Sequence, residues 1–126
     1  MVYDIPKEVL VVEDDAMIRI VAADALADRG IMAWEAGDAN EALHVLEQHP
    51  HIGLLFTDVN MPGDMNGLGL AHEVSVIRPD VKLIVTSGAS TVADSDLPDH
   101  GIFLPKPYPA QRLADMVAWK LDAERT

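Results

Sequence analysis

Apolar residues follow two alternating rhythms along this chain. Short, nearly unbroken apolar runs occur at about Glu8 to Val12, Ile31 to Ala36, Ile52 to Thr57, Val81 to Thr86 and Gly101 to Leu104, most of them bounded by acids or turn residues. Runs of this length that alternate with helical segments predict strands buried on both faces. Between them the spacing becomes helical. From about Asp15 to Arg29 it puts Ile18, Val21, Ala22 and Ala25 on one face, and Gly30 closes the helix. Asp38 with Glu41 three residues later predicts a capping box, opening a helix with Ala39, Ala42, Leu43 and Leu46 inward that stops before Pro50. A third helix is expected from about Leu68 to Ile77, ended by Arg78-Pro79-Asp80. The stretch Ser87 to His100 has few large apolar residues and is cut by Pro98, so a short, poorly packed fourth helix is expected there. A last helix, about Pro109 to Ala123, turns Leu113, Met116, Val117 and Leu121 inward and leaves Trp119 off the apolar face.

Strand and helix thus alternate five times without internal repeats. Right-handed crossovers fold such a pattern into a doubly wound parallel sheet with helices on both faces. The 126 residues suit one domain, 1–126. With 21 acids against 9 bases the net charge is -12, which repels nucleic-acid backbones and anionic lipid. The absence of cysteine excludes disulfides, thiolate metal sites and cysteine nucleophiles. No apolar run approaches a membrane span, and the expected setting is the cytoplasm.

The chemistry collects where strands end. Leu54-Leu55-Phe56-Thr57 runs into Asp58, and Met61-Pro62-Gly63 then turns the chain; the first strand runs into Glu13-Asp14-Asp15. Ligands of open parallel sheets bind beyond the carboxyl ends of the strands, so these acids would meet at one edge. Taken singly, Asp58 is equally at home as a turn former and the other acids as helix caps. Clustered, three carboxylates repel one another unless a cation sits among them, and Mg2+ suits such oxygen donors. A carboxylate is also a feasible nucleophile toward a phosphoryl group, with Asp58 in the middle of the edge as the candidate. The five histidines show no ligand spacing and read as surface or structural.

Val11-Val12-Glu13-Asp14-Asp15, Asp58-Val59-Asn60-Met61-Pro62, Val85-Thr86-Ser87 and Phe103-Leu104-Pro105-Lys106-Pro107 stand in order at the ends of strands one, three, four and five. Together they resemble the receiver domain of two-component response regulators, over essentially the whole chain. The resemblance implies a flavodoxin-like fold with five helices and strand order 2-1-3-4-5, and phosphorylation of Asp58 by a histidine kinase or histidine phosphotransfer protein. It further implies Mg2+ held directly by Asp14 and Asp58, by Glu13 through water and by the backbone carbonyl of Asn60, with Asp15 starting the helix. Lys106, in a cis bond to Pro107, and Thr86 would contact the phosphoryl oxygens. Thr86 and Phe103 would act as the switch, and the output would leave through the fourth helix, fifth strand and fifth helix by protein contact.

The chain departs from the family pattern in three places. The loop Met61 to Gly67 is one residue longer than the commonest form, Ser87 replaces the usual alanine, and Phe103 stands where tyrosine is more frequent. Asn60 and Gly88 occupy positions that tune hydrolysis in the family, and Gly88, having no side chain, predicts a short-lived phosphoryl state. The expectation is a stand-alone receiver; other readings are a receiver belonging to a larger regulator or hybrid kinase, a phosphohydrolase using Asp58, and a module that binds partners without phosphorylation. The phosphohydrolase would want a second acid at Asn60.

Overall fold

A computed structural model describes residues 8–88, 92–98 and 101–123. Five parallel strands, β1 (Glu8–Val12), β2 (Met32–Ala36), β3 (Ile52–Asp58), β4 (Lys82–Ser87) and β5 (Ile102–Pro105), form one sheet in the order β2-β1-β3-β4-β5. This is the expected doubly wound α/β topology. The connections are helices α1 (Ala16–Ala27), α2 (Ala39–Gln48) and α3 (Gly67–Ile77), a 3-10 turn at Asp94–Asp96, and after the sheet α4 (Ala110–Ala123).

The apolar runs are continuous because both faces of the sheet are covered. Val9, Val11, Leu54, Phe56 and Ile84 pack with Ala22 and Leu26 of α1 and Leu113 and Val117 of α4. Their neighbours Leu10, Val12, Leu55, Leu83 and Val85 point the other way, onto Ala42 and Leu46 of α2 and Leu70 and Val74 of α3. Two cores therefore sandwich the sheet, and its strand ends and the edge strand β2 meet solvent. Each side chain alternates between them with the strand period.

Local signals act at the element ends. Asp15 caps α1 by accepting from the backbone N–H of Met17 and Ile18. Gly30 adopts φ 74°, where a β-carbon is disfavoured, and Ile31 N–H donates back to Leu26 to close the helix. Asn66 caps α3 through Gly69 N–H. Asp38 caps α2 as expected, but the Glu41 carboxylate accepts from Gly37 N–H rather than from Asp38.

Two expectations need correction. Helix α1 buries Ala22, Ala23 and Leu26, leaving Ile18 and Ala25 half-buried and Val21 52% exposed. The buried face is centred on Ala22 and Leu26, four residues apart and packed on Val9, Val11 and Phe56, which turns Val21 outward. The fourth helix is absent among the described residues of its stretch, where only the turn Asp94–Asp96 forms; residues 89–91 and 99–100 lie outside the described set. Acids there bond backbone instead of favouring a helix: Ala93 N–H donates to Asp96, and Phe103 N–H to Asp94 Oδ1 at 2.9 Å. Val92 and Leu97 still bury themselves against the core.

Candidate functional site

The strand ends bring the predicted residues together. Asp58, the last residue of β3, is 5% exposed, and Glu13, one step past β1, is 2% exposed. Asp14 beside it faces solvent. One carboxylate oxygen from each of Glu13, Asp14 and Asp58 lies within 4.8 Å of the other two. Lys106, one step past β5, reaches back over the edge: its Nζ donates to Glu13 Oε1 at 2.7 Å and to Asp58 Oδ2 at 2.9 Å. The Lys106–Pro107 bond is cis.

The backbone holds this cluster from several sides. Glu13 N–H donates to Ala36 O, and Arg19 of α1 donates from Nη1 to the Glu13 carbonyl at 2.8 Å while its Nε meets Glu35. The second oxygen of Glu13 accepts from Asp15 N–H at 3.0 Å. Asn60 N–H donates to Asp58 Oδ1 at 3.2 Å, and its side-chain Nδ2 donates to Ser87 Oγ at 3.1 Å. The carbonyl of Ser87 accepts from Lys106 N–H, so the ends of β4 and β5 are tied together beside the acids.

Thr86 lies in register with Asp58 on the neighbouring strand. Its Oγ1 is buried without a hydrogen-bond partner, the one such atom among the described buried side chains. Leaving a buried hydroxyl unpaired costs about 1–3 kcal/mol, a deficit an incoming acceptor would relieve. Phe103, on β5, is half-buried against the core that includes Val92 and Leu97.

The electrostatics follow from burial. Burial pushes the Glu13 carboxyl above the usual carboxylate range, against the lowering effect of Lys106 and with Asp58 adding to the rise. Burial alone would lower Lys106, but its hydrogen bonds to Glu13 and Asp58 outweigh this and hold it above the ordinary lysine value. The ammonium is therefore charged throughout the physiological range. Three carboxylates against one ammonium leave the cluster formally at two negative charges. Hard oxygen donors with that surplus form an acidic pocket able to hold a divalent metal ion.

Three contributors escaped the sequence reading. Gly67 opens α3 hard against β3: a β-carbon there would stand 1.9 Å from the Asp58 carbonyl oxygen. The pair Asn66-Gly67 before an apolar run was the available signal. Ser87 holds Asn60 across the mouth of the site, a pairing between distant segments that no local spacing announces. Tyr108 packs edge-on to Phe56 with ring centroids 5.7 Å apart, and burial, then the Glu13 charge, push its phenol up to about 12.

A parallel sheet in this order with acids, a lysine and an orphaned hydroxyl at one edge defines a doubly wound α/β domain with an acidic site at the carboxyl ends of its strands. Residues 9–118 match the family model of the response regulator receiver domain, and the chain belongs to that family. It is 35% identical over 120 residues to the sensor kinase CckA of Brucella abortus, covering 92% of this chain and 13% of that protein. It is 34% identical over 114 residues to the response regulator receiver protein CpdR of the same organism, covering 88% of this chain and 91% of that one. The crystal structure of a response regulator receiver protein from Pseudomonas putida superposes with a TM-score of 0.81 at 35% identity, over 93% of this chain and 98% of that chain. The chain thus corresponds to a small part of the kinase and to nearly the whole of the single-receiver relative. It is a two-component response regulator receiver.

Proposed function

We propose that Asp58 is the phosphoacceptor of this receiver, charged by a histidine kinase or a histidine phosphotransfer protein. The observation that carries the reading is the double grip of Lys106 on Asp58 and Glu13, set beside the orphaned hydroxyl of Thr86. A carboxylate oxygen of Asp58 attacks phosphorus, the bond to the donor breaks, and the donor leaves with the electron pair. Phosphoryl transfer is dominated by positioning and charge neutralisation, so no separate base is required. Lys106 shifts from the carboxylates to the phosphoryl oxygens, and Thr86 donates its hydroxyl to one of them. Mg2+, held by Glu13, Asp14, Asp58 and the backbone carbonyl of Asn60, would supply the remaining neutralising charge. The domain turns over no external substrate in this reading; its phosphorylated state is the product.

The donor docks along α1. Met17, Ile20 and Val21 there are 72%, 48% and 52% exposed, and an apolar groove of about 340 Å³ runs from Met17 and Val21 to Lys106 and Tyr108. An apolar surface opening beside the nucleophile suits a partner that must bring its phosphoryl group there. Output leaves through the Asp94–Asp96 turn, β5 and the face of α4 turned away from α1. There Thr86 and Phe103 form the switch, and Trp119, 61% exposed, offers a contact anchor. Phosphoryl storage is the alternative output. The setting is the cytoplasm, where kinases are supplied with ATP; no helix among the described residues is long and apolar enough to cross a membrane.

Incubation with Mg2+ and acetyl phosphate, followed by intact mass, tests the assignment. The wild type should gain one phosphoryl group and Asp58→Asn none. An equal adduct on the variant would remove Asp58 from this role.

A further inference from the structure

We infer that Ser87 is a positioning residue that sets the lifetime of the phosphoryl group by orienting Asn60 toward the hydrolytic water. The inference rests on the phosphoacceptor reading of Asp58 and deepens it. Asn60 is held at two points: its backbone N–H donates to Asp58 Oδ1 at 3.2 Å, and its Nδ2 donates to Ser87 Oγ at 3.1 Å. Ser87 is itself a fixed support, 2% exposed at the end of β4, with its carbonyl bonded to Lys106 N–H. An exposed asparagine side chain is ordinarily free to rotate. Here the donor half of the carboxamide is engaged, which fixes its plane and leaves the carbonyl oxygen to accept from a water next to Asp58.

The approach is open on the neighbouring position. Gly88 carries no side chain, and a β-carbon there would meet nothing closer than Lys106 Cβ at 3.4 Å. In hydrolysis, water oxygen adds to phosphorus while the bond between phosphorus and the Asp58 oxygen breaks. The carboxylate leaves with the electron pair, and both water protons remain on the phosphate released. A carbonyl fixed beside that water aligns its lone pair with phosphorus, and the alignment is worth the rotamer freedom already removed from Asn60.

The test follows decay of the phosphorylated chain by intact mass, after removal of acetyl phosphate and in constant Mg2+. It compares wild type, Ser87→Ala, Asn60→Ala and the double variant. Ser87→Ala should decay about two- to tenfold more slowly. Asn60→Ala should also be slow, and adding Ser87→Ala to it should change nothing further. Calorimetric Mg2+ affinity of Ser87→Ala should equal that of the wild type, which separates orientation of Asn60 from general damage to the site. Unchanged or faster decay in Ser87→Ala, additive slowing in the double variant, or a parallel loss of Mg2+ affinity would each overturn the role of Ser87 while leaving Asp58 in place. A wild type that takes up no phosphoryl group would overturn both.

Discussion

Replacing Gly67 by alanine should damage the site from behind, although Gly67 touches neither phosphate nor metal. The new β-carbon would lie 1.9 Å from the Asp58 carbonyl oxygen, 2.6 Å from its carbon and 2.9 Å from Val59 Cα. Non-bonded heavy atoms need more than about 3 Å, so the first turn of α3 or the end of β3 must move by about 1 Å. The neighbour is backbone, with no rotamer to absorb the shift. Overpacking of this kind costs about 1–3 kcal/mol, and the bond from Gly67 N–H to Val59 O at 2.9 Å is strained with it, for about 1 kcal/mol more. The lower chain entropy of alanine returns about 0.4–1 kcal/mol. The net expectation is a loss of about 2–3 kcal/mol in urea unfolding, with the m-value unchanged. Because Asp58 is carried on the displaced backbone, phosphoryl uptake from acetyl phosphate should slow by up to about a hundredfold. Gly69, two residues on, is the control. A β-carbon there meets Met65 Cγ at 2.9 Å, the flexible part of a side chain that can rotate away, so Gly69→Ala should be neutral or slightly stabilising. Equal stability and equal uptake in the two alanine variants would refute the close-approach argument.

Four further outcomes follow from the geometry. Val21→Arg on the exposed face of α1 should slow phosphoryl transfer from a cognate kinase but not from acetyl phosphate; equal slowing with both donors would remove α1 from the docking face. Lys106→Met should leave Glu13 and Asp58 as buried carboxylates without their ammonium, lowering uptake sharply and costing up to about 3–5 kcal/mol, with urea melts as the check. Gly88→Glu should prolong the phosphoryl state by narrowing the approach beside Lys106, read as a slower decay in intact mass. The Tyr108 phenol, pushed up to about 12, stays protonated in the folded state where the unfolded chain ionises. The native state then binds the extra proton, so stability should fall as pH rises above about 10, and Tyr108→Phe should flatten that slope in alkaline melts.

The fold was legible because both faces of the sheet are buried. Val9 to Val12 and Leu54 to Phe56 are unbroken apolar runs for that reason, and in these central strands acids appear where the runs end. Glu13 and Asp58 stood out by their places at strand ends, Thr86 and Lys106 entered through the family resemblance, and the topology makes those ends adjacent. What stayed hidden depends on contacts between segments. The orientation of α1 was misread because Val21 and Ala22 are adjacent and both apolar, so the apolar period alone does not say which one the sheet covers. Among the described residues 92–98 only a turn forms, and acids there bond backbone donors, Asp94 on Phe103 above all, which a helical period does not register. Ser87 and Asn60 stand 27 positions apart. Nothing about either alone marks the bond they share.

That contact of Asp94 with Phe103 also bears on how the molecule avoids its own kind. β5 is the outermost strand on its side, and a bare outer strand is a template on which another chain can lay a sixth. Lys106 N–H, like alternate residues before it, points inward to β4, which leaves Phe103 and Pro105 facing out. Proline has nothing to donate, and the amide of Phe103 is already taken by the Asp94 carboxylate. The rim thereby offers no free backbone donor at Phe103 or Pro105, and a chain that tried to extend the sheet there would find only half of the ladder to pair with.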